Sequence, residues 1–514
     1  DPLWSRGLGD VYKRQVFFML SMLCLPVLFI EFLIFFQAHS LLILFIILPI
    51  AFEFGFGVFN KICSIILPQQ MLLSYDFDNF IPNEHSTLVA MPCLLTNNDI
   101  IDELINNLEI NYLASIKGNL FFALVADYED SHTPSTNIHK KLLSYAQKRI
   151  DDLNNIYTPN EHKFFLFSRE LLFNKSEDCY MGWERKRGKL CELNRFLRGD
   201  KSTSFLEPKE YIPNVIKYII TLDSDTKLAP NSACDLIGKI SYELNQAQFC
   251  EKTGEIIKGY TILQPRITTL ITDFKNSSLF QTIFSRNSGF DPYISGVSEA
   301  YQDLCFQGTY IGKAIYSINS FIKSTEGKLK ENLILSHDLL EGSYAKCAFV
   351  SDIELLEEYP NNYLSEVNRL ERWTRGDWQL LPYIFNYNSK LDNVAIIKML
   401  DNLRRSLLPV SFILCMILSA YSQKHFLLQL VTITGFFASS IISFLSNLLN
   451  YNKNIYFVSY IYDCTKSLNN LIIDILIKIS LSGHAAFYNM SAIIKALYRL
   501  SLIHISEPTR PERI

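Results

Sequence analysis

What most limits the fold of this chain is the placement of its longest apolar runs. Residues 16–36 and 40–59 are nearly free of charge, and 406–422 and 426–446 repeat the pattern late in the chain. A helix needs roughly 20 apolar residues to cross the hydrocarbon layer, so each run is near span length. Two membrane regions, 16–60 and 406–446, therefore bracket residues 61–405, which have ordinary soluble composition. Glu31 and Glu53 lie inside the first pair. A charge in such a place costs roughly 2–3 kcal/mol or more and faces a partner or a cavity. A functional role and plain helix packing around a paired or protonated carboxyl both stay open.

Flanking charge sets the orientation. Lys61 follows the second run and Arg404 and Arg405 precede the third, while the connection 37–39 has no Lys or Arg, which predicts a cytosolic soluble region. Residues 471–482, with Asp474 and Lys478 among apolar neighbours, are short for a span; 447–501 is expected to be an interfacial or membrane helical region.

At 514 residues the chain exceeds one compact core. Its 48 basic and 52 acidic residues leave a net charge of -4, with no basic excess to hold nucleic acid. The 11 cysteines show no metal-type spacing and read as reduced, mostly buried thiols. Residues 1–15 and 502–514 resemble translated adapter sequence and are set aside. Apolar sequence starting abruptly at Val16 reads as an internal piece of a longer protein.

Within 61–405 strand and helix patterns alternate. Residues 87–91 form a short apolar run closed by Pro92, and Thr96-x-x-Asp99 resembles a capping box for a helix with its buried face at Ile100, Ile101, Leu104, Ile105 and Leu108. Residues 120–126, 163–167 and 218–222 are further apolar runs, two of them stopped by Asp127 and Asp223. Buried parallel strands read this way, and ligands bind at their carboxyl ends.

Asp223-Ser-Asp225 puts two carboxylates on one turn, suited to a hard divalent cation bridging the diphosphate of a sugar nucleotide; acidic pairs at solvated turns are also common. Asp127 suits a hydrogen bond to uracil or ribose, or a simple loop cap. Lys186-Arg-Gly188-Lys189 offers positive charge and a Gly to approaching phosphate, or a solvated helix start. Asp338 is a candidate general base toward a sugar hydroxyl, and His337 reads as structural. Arg369-Leu-Glu-Arg372-Trp373 offers charge for a departing diphosphate and a flat face for a sugar, or a surface Arg and a core Trp. Each signal is weak alone. Their order is that of membrane-bound inverting glycosyltransferases of the GT-A type.

A closer resemblance rests on Met181-Gly-Trp-Glu-Arg-Lys-Arg-Gly-Lys-Leu190, Tyr301-Gln-Asp-Leu304, Ile334-Leu-Ser-His-Asp-Leu-Leu-Glu-Gly342 and Arg372-Trp-Thr-Arg-Gly-Asp-Trp-Gln379. These resemble the transferase region of bacterial cyclic β-1,2-glucan synthases over about 51–500, with Asp76-Phe-Asp-Asn-Phe-Ile-Pro82 and Asp401-Asn-Leu-Arg-Arg-Ser406 in support. The resemblance implies an α/β, Rossmann-like GT-A domain (a nucleotide-diphospho-sugar transferase) between transmembrane helices of the bacterial inner membrane. It implies UDP-glucose as donor, a β-1,2-glucan acceptor and a Mg²⁺ or Mn²⁺ cofactor. Asp127, Lys186, Gly188 and Asp223 would bind the nucleotide, Asp223 and Asp225 the metal, and Asp338 would be the base. Gly308 and Thr309, of Phe306-Gln-Gly-Thr309, would line the acceptor and leaving-group site with Arg369, Arg372 and Trp373. Full synthases also carry more spans and a C-terminal phosphorylase-like region, which would complete the parent chain. Two other readings stand beside this one: another processive β-glycan synthase, and a catalytically silent nucleotide-binding scaffold, which loss of an acid would favour. All four acids are present.

Overall fold

A computed structural model describes residues 41–501 except 78–79, 116, 135–136, 176–177, 213–214, 271–277, 279, 282–298, 332–336, 387–388, 422–424 and 450–455. The expected first span at 16–36, with Glu31, and the two terminal stretches lie outside the described residues.

The four apolar runs of the soluble region become neighbours in one eight-stranded sheet. Its strands are β1 (Thr87–Leu95), β2 (Leu120–Tyr128), β3 (Phe164–Ser168), β4 (Tyr218–Thr221), β5 (Thr226–Leu228), β6 (Ile262–Thr269), β7 (Ile315–Ser317) and β8 (Cys347–Glu357), in the order β3-β2-β1-β4-β7-β6-β8-β5. Strands β3, β2, β1 and β4 are mutually parallel, and β6 runs parallel to β8; β7 and β5 join antiparallel. The runs lack polar alternation because both faces are covered. Val89, Met91, Phe122 and Leu124 pack under α2 (Asn98–Leu113), α3 (Asn137–Tyr157) and α5 (Ser232–Ser241). Leu88, Ala90, Phe121 and Ala123 pack under α4 (Arg185–Phe196).

Two local expectations change. β1 continues through Pro92 to Leu95. Its pairing with β4 stops at Ala90, whose carbonyl accepts from Leu222 N at 3.1 Å, so the ring of Pro92 faces the side where no ladder bond is needed. The cap of α2 is Asn97 rather than Thr96, since Asn97 Oδ1 accepts from Ile100 N at 2.9 Å.

At the two ends of the described chain, α1 (Leu41–Ile66), α8 (Asn393–Ala420) and α11 (Phe457–Ser501) are long and apolar enough to cross a membrane. α8 starts well before residue 406, capped by Asp392, and carries Asp401, Arg404 and Arg405 without a break. The expected span at 426–446 is instead two helices, α9 (His425–Phe436) and α10 (Ala438–Leu449), bent by 69°. Residues 471–482 belong to the continuous α11, not to a separate short helix. Glu53 is paired: its carboxylate accepts from Arg404 Nη1 and Ser439 Oγ, each at 2.9 Å, tying α1 to α8 and α10.

Candidate active site

The strand order reverses between β1 and β4, which makes their carboxyl ends the ligand crevice of an open α/β sheet. The turn carrying Asp223 and Asp225 follows β4 directly, at that point. Lys186, in the first turn of α4, donates to Asp223 Oδ1 at 2.5 Å. On the other side Lys313, just before β7, lies 3.3 Å from Asp223 Oδ2 and also holds Glu357 at the end of β8. Burial opposes the charge on Asp223, but the two ammonium groups outweigh it and hold its carboxyl well below the usual range. Asp225 is exposed and makes no hydrogen bond or ion pair with the described residues.

Asp338 opens α6 (Asp338–Ala345) and faces the same ions: Lys186 feels the charge of both Asp223 and Asp338. Gly312, at φ +84°, lets the loop before Lys313 close on this carboxylate. A Cβ there would lie 2.9 Å from Asp338 Oδ2. Burial raises the pKa of Asp338, and the neighbouring charges of Glu341 and Asp223 raise it further against the pull of His337 and Lys186; the net shift is upward. His337 Nδ1 sits 3.3 Å from Glu341 and 3.5 Å from Asp338, so the His is held between carboxylates. These three groups are close enough to share an ion, a second acidic cluster beside the Asp223 turn.

Asp127 occupies a different setting. It is 3% exposed, and both its oxygens accept from Arg169, each at 2.7 Å, with Lys189 Nζ 3.2 Å away. Arg169 also donates to Glu192 and to the carbonyls of Trp183 and Arg185, the residues leading into Lys186. Burial disfavours the charge of Asp127, yet Lys189 and Arg169 keep the pKa lowered. Gly182 is needed here, because a Cβ would come within 2.6 Å of Asp127 Oδ2. Gly188 is needed for a related reason: its missing side chain makes room for the Trp183 carbonyl, which a Cβ would approach to 1.9 Å.

The remaining expected residues divide. Arg369, on α7 (Tyr363–Gln379), pairs with Glu366 at 2.7 Å and reaches Glu357 at 3.8 Å, and its guanidinium lies over the Trp373 ring at 4.9 Å. An ion chain thus runs from Lys186 through Asp223, Lys313 and Glu357 to Arg369. Trp373 is 39% exposed and Arg372 is exposed, so both present surface. Gly308 and Thr309 are tightly packed: a Cβ on Gly308 would strike Phe349 N at 2.3 Å, and Thr309 Oγ1 donates to Glu299 at 2.9 Å. Sequence reading passed over Arg169, Lys313 and Glu357. A lone Lys or Glu beside a strand carries no pattern, and Arg169 had only its place after an apolar run.

No protein-family model matches the chain. The chain is similar to the cyclic β-(1,2)-glucan synthase NdvB of Rhizobium meliloti (strain 1021), with 39% identity over 466 residues. The match covers 90% of this chain and 16% of that protein's length. Among solved structures it is similar to the mannosyltransferase PcManGT from Pyrobaculum calidifontis in complex with GDP-Man and Mn²⁺, with a TM-score of 0.42 and 9% identity, covering 89% of this chain and 99% of that one. Sheet, crevice and flanking helices define an open α/β domain between helices long and apolar enough to cross a membrane. More narrowly, the chain is a relative of one segment of a cyclic β-(1,2)-glucan synthase.

Proposed function

We propose that this chain moves glucose from UDP-glucose to the end of a growing β-1,2-glucan, with inversion at the donor carbon. The observation that carries this reading is the crevice in which Lys186 faces both Asp223 and Asp338. One acid serves the donor side and the other takes up the proton, while the Lys186 ammonium contacts the first and feels the charge of the second. The sequence relative, a glucan synthase, supports glucose as the sugar moved.

In this reading Lys186 meets the diphosphate, and Asp338 takes the proton of the acceptor C2 hydroxyl as that oxygen attacks C1 of the donor. The bond from C1 to UDP breaks as the new one forms, so an α-linked donor gives a β-linkage. A carboxylate with a raised pKa is a better proton acceptor than an ordinary one. Asp223 and Asp225 would hold Mg²⁺ or Mn²⁺. Hard oxygens suit such ions, and the carboxylate of Asp225, exposed and without a hydrogen bond or ion pair to the described residues, fits the part. That ion, when bound, adds positive charge beside the diphosphate. Arg369, Arg372 and Trp373 form the acceptor and leaving-group side, and Asp127 serves the nucleotide through the network that sets Lys186. The surroundings are the bacterial inner membrane, with the α/β unit on the cytosolic face.

Asp338→Asn tests the assignment. Transfer from labelled UDP-glucose should fall about a thousandfold, while UDP affinity, read by calorimetry, stays near that of the unaltered protein. Transfer within tenfold of that protein would rule out Asp338 as the base.

A further inference from the structure

Lys313 has no counterpart in the motif reading, yet it sits at the centre of the donor-side charges. Its amine is 3.3 Å from Asp223 Oδ2, contacts Glu357, and feels the charge of Asp225. Only 8% of the side chain is exposed. Its backbone is fixed on both sides: Gln264 Nε2 donates to the Lys313 carbonyl at 2.8 Å, and Thr221 N donates to the Ala314 carbonyl at 2.9 Å. The ammonium is therefore held in place among three carboxylates, where a divalent cation would also find its strongest attraction.

We propose that Lys313 is a resident counter-cation of the donor site, which competes with the divalent ion for Asp223 and so makes tight metal binding depend on the diphosphate. This rests on the reading that Asp223 and Asp225 hold the metal. With no nucleotide present, an incoming Mn²⁺ meets a carboxylate already neutralised on one side by Lys186 and on the other by Lys313. A nucleoside diphosphate brings negative charge of its own, gives both lysines a new partner, and frees Asp223 for the ion. Lys313 would thereby hold the empty site together and set the order of loading.

The test is Mn²⁺ binding to the full chain in detergent, followed by the electron paramagnetic resonance of free Mn²⁺, with and without UDP. Lys313→Met should bind Mn²⁺ alone about tenfold more tightly than the unaltered protein, and UDP should add correspondingly less. Lys313→Arg, which keeps the charge, should stay within about twofold. Mn²⁺ affinity of Lys313→Met that is equal or weaker overturns the proposal. If that variant does not fold, the unaltered protein still decides: saturating Mn²⁺ should raise acetylation of Lys313 by acetic anhydride, and constant or reduced labelling overturns it. Asp225→Asn separates the two layers. If it leaves Mn²⁺ binding unchanged, the metal assignment itself fails; if it abolishes binding while Lys313→Met binds no more tightly, the role of Lys313 alone fails.

Discussion

Asp127 and Asp223 both stand at carboxyl ends of parallel strands, and each is held by two cationic side chains, but the settings differ. Asp127 is 3% exposed, with Arg169 and Lys189 as partners and Arg169 in turn closed by Glu192. Asp223 keeps 35% of its side chain exposed, and Asp225 two residues on is exposed and makes no hydrogen bond or ion pair with the described residues. The first cluster is closed and spends its hydrogen bonds on fixing the chain around Trp183 and Arg185; the second is open and has capacity for a ligand. Of these two acids at strand ends, Asp223 is the one whose partners leave it reachable.

Arg169→Met is the strongest way to break this contrast. It leaves Asp127 and Glu192 buried without their shared cation, and losing one partner of a buried ion network costs roughly 3–5 kcal/mol. The denaturation midpoint should fall accordingly; a loss below about 1 kcal/mol would mean the closed cluster is not structural. Gly188→Ala comes next. With 1.9 Å between its Cβ and the Trp183 carbonyl, the start of α4 must move, at a cost of about 1–3 kcal/mol in the same assay. Lys186→Gln acts on the open cluster and should behave differently. Its side chain is 33% exposed, so stability should hold while UDP affinity falls about tenfold. Equal damage to stability and binding would erase the distinction between the clusters.

The smallest expected effect is on pH. Asp338 must be ionised to accept a proton, and its pKa is raised, so the transfer rate should fall with decreasing pH above the ordinary carboxylate range. Because Lys186 pulls that pKa down, Lys186→Gln should move this acid limb to higher pH, by less than about one unit. A shift to lower pH would show that the two groups do not face each other.

Much of this was legible in the sequence because burial leaves a simple trace. Four continuous apolar runs, two of them ending in Asp127 and Asp223, gave four of the sheet's strands and the edge where the crevice lies. The basic segment at 186–189 and Asp338 were found through motif order, and the fold brings Lys186, Asp223 and Asp338 together. The ion partners were not legible. Lys313 meets Asp223, and Glu357 meets Lys313, only because β7 and β8 return to the sheet far along the chain, and no local spacing records that. Helix breaks in apolar sequence were equally hidden: the bend between α9 and α10 falls within a run of uniform hydropathy, and residues 471–482 of α11 read locally as a short interfacial piece because Asp474 and Lys478, which pair with each other across one turn, interrupt the apolar sequence.

The central claim, inverting glucosyl transfer by the open cluster, is tested most directly on the product. The purified chain in detergent should be given UDP-[¹⁴C]glucose, a short β-1,2-glucan and Mn²⁺, and the labelled product examined for linkage and anomeric configuration. Label should appear joined through β-1,2 bonds and be lost in Asp338→Asn. Label in α-linked product, or in β-linkages other than 1,2, would contradict it.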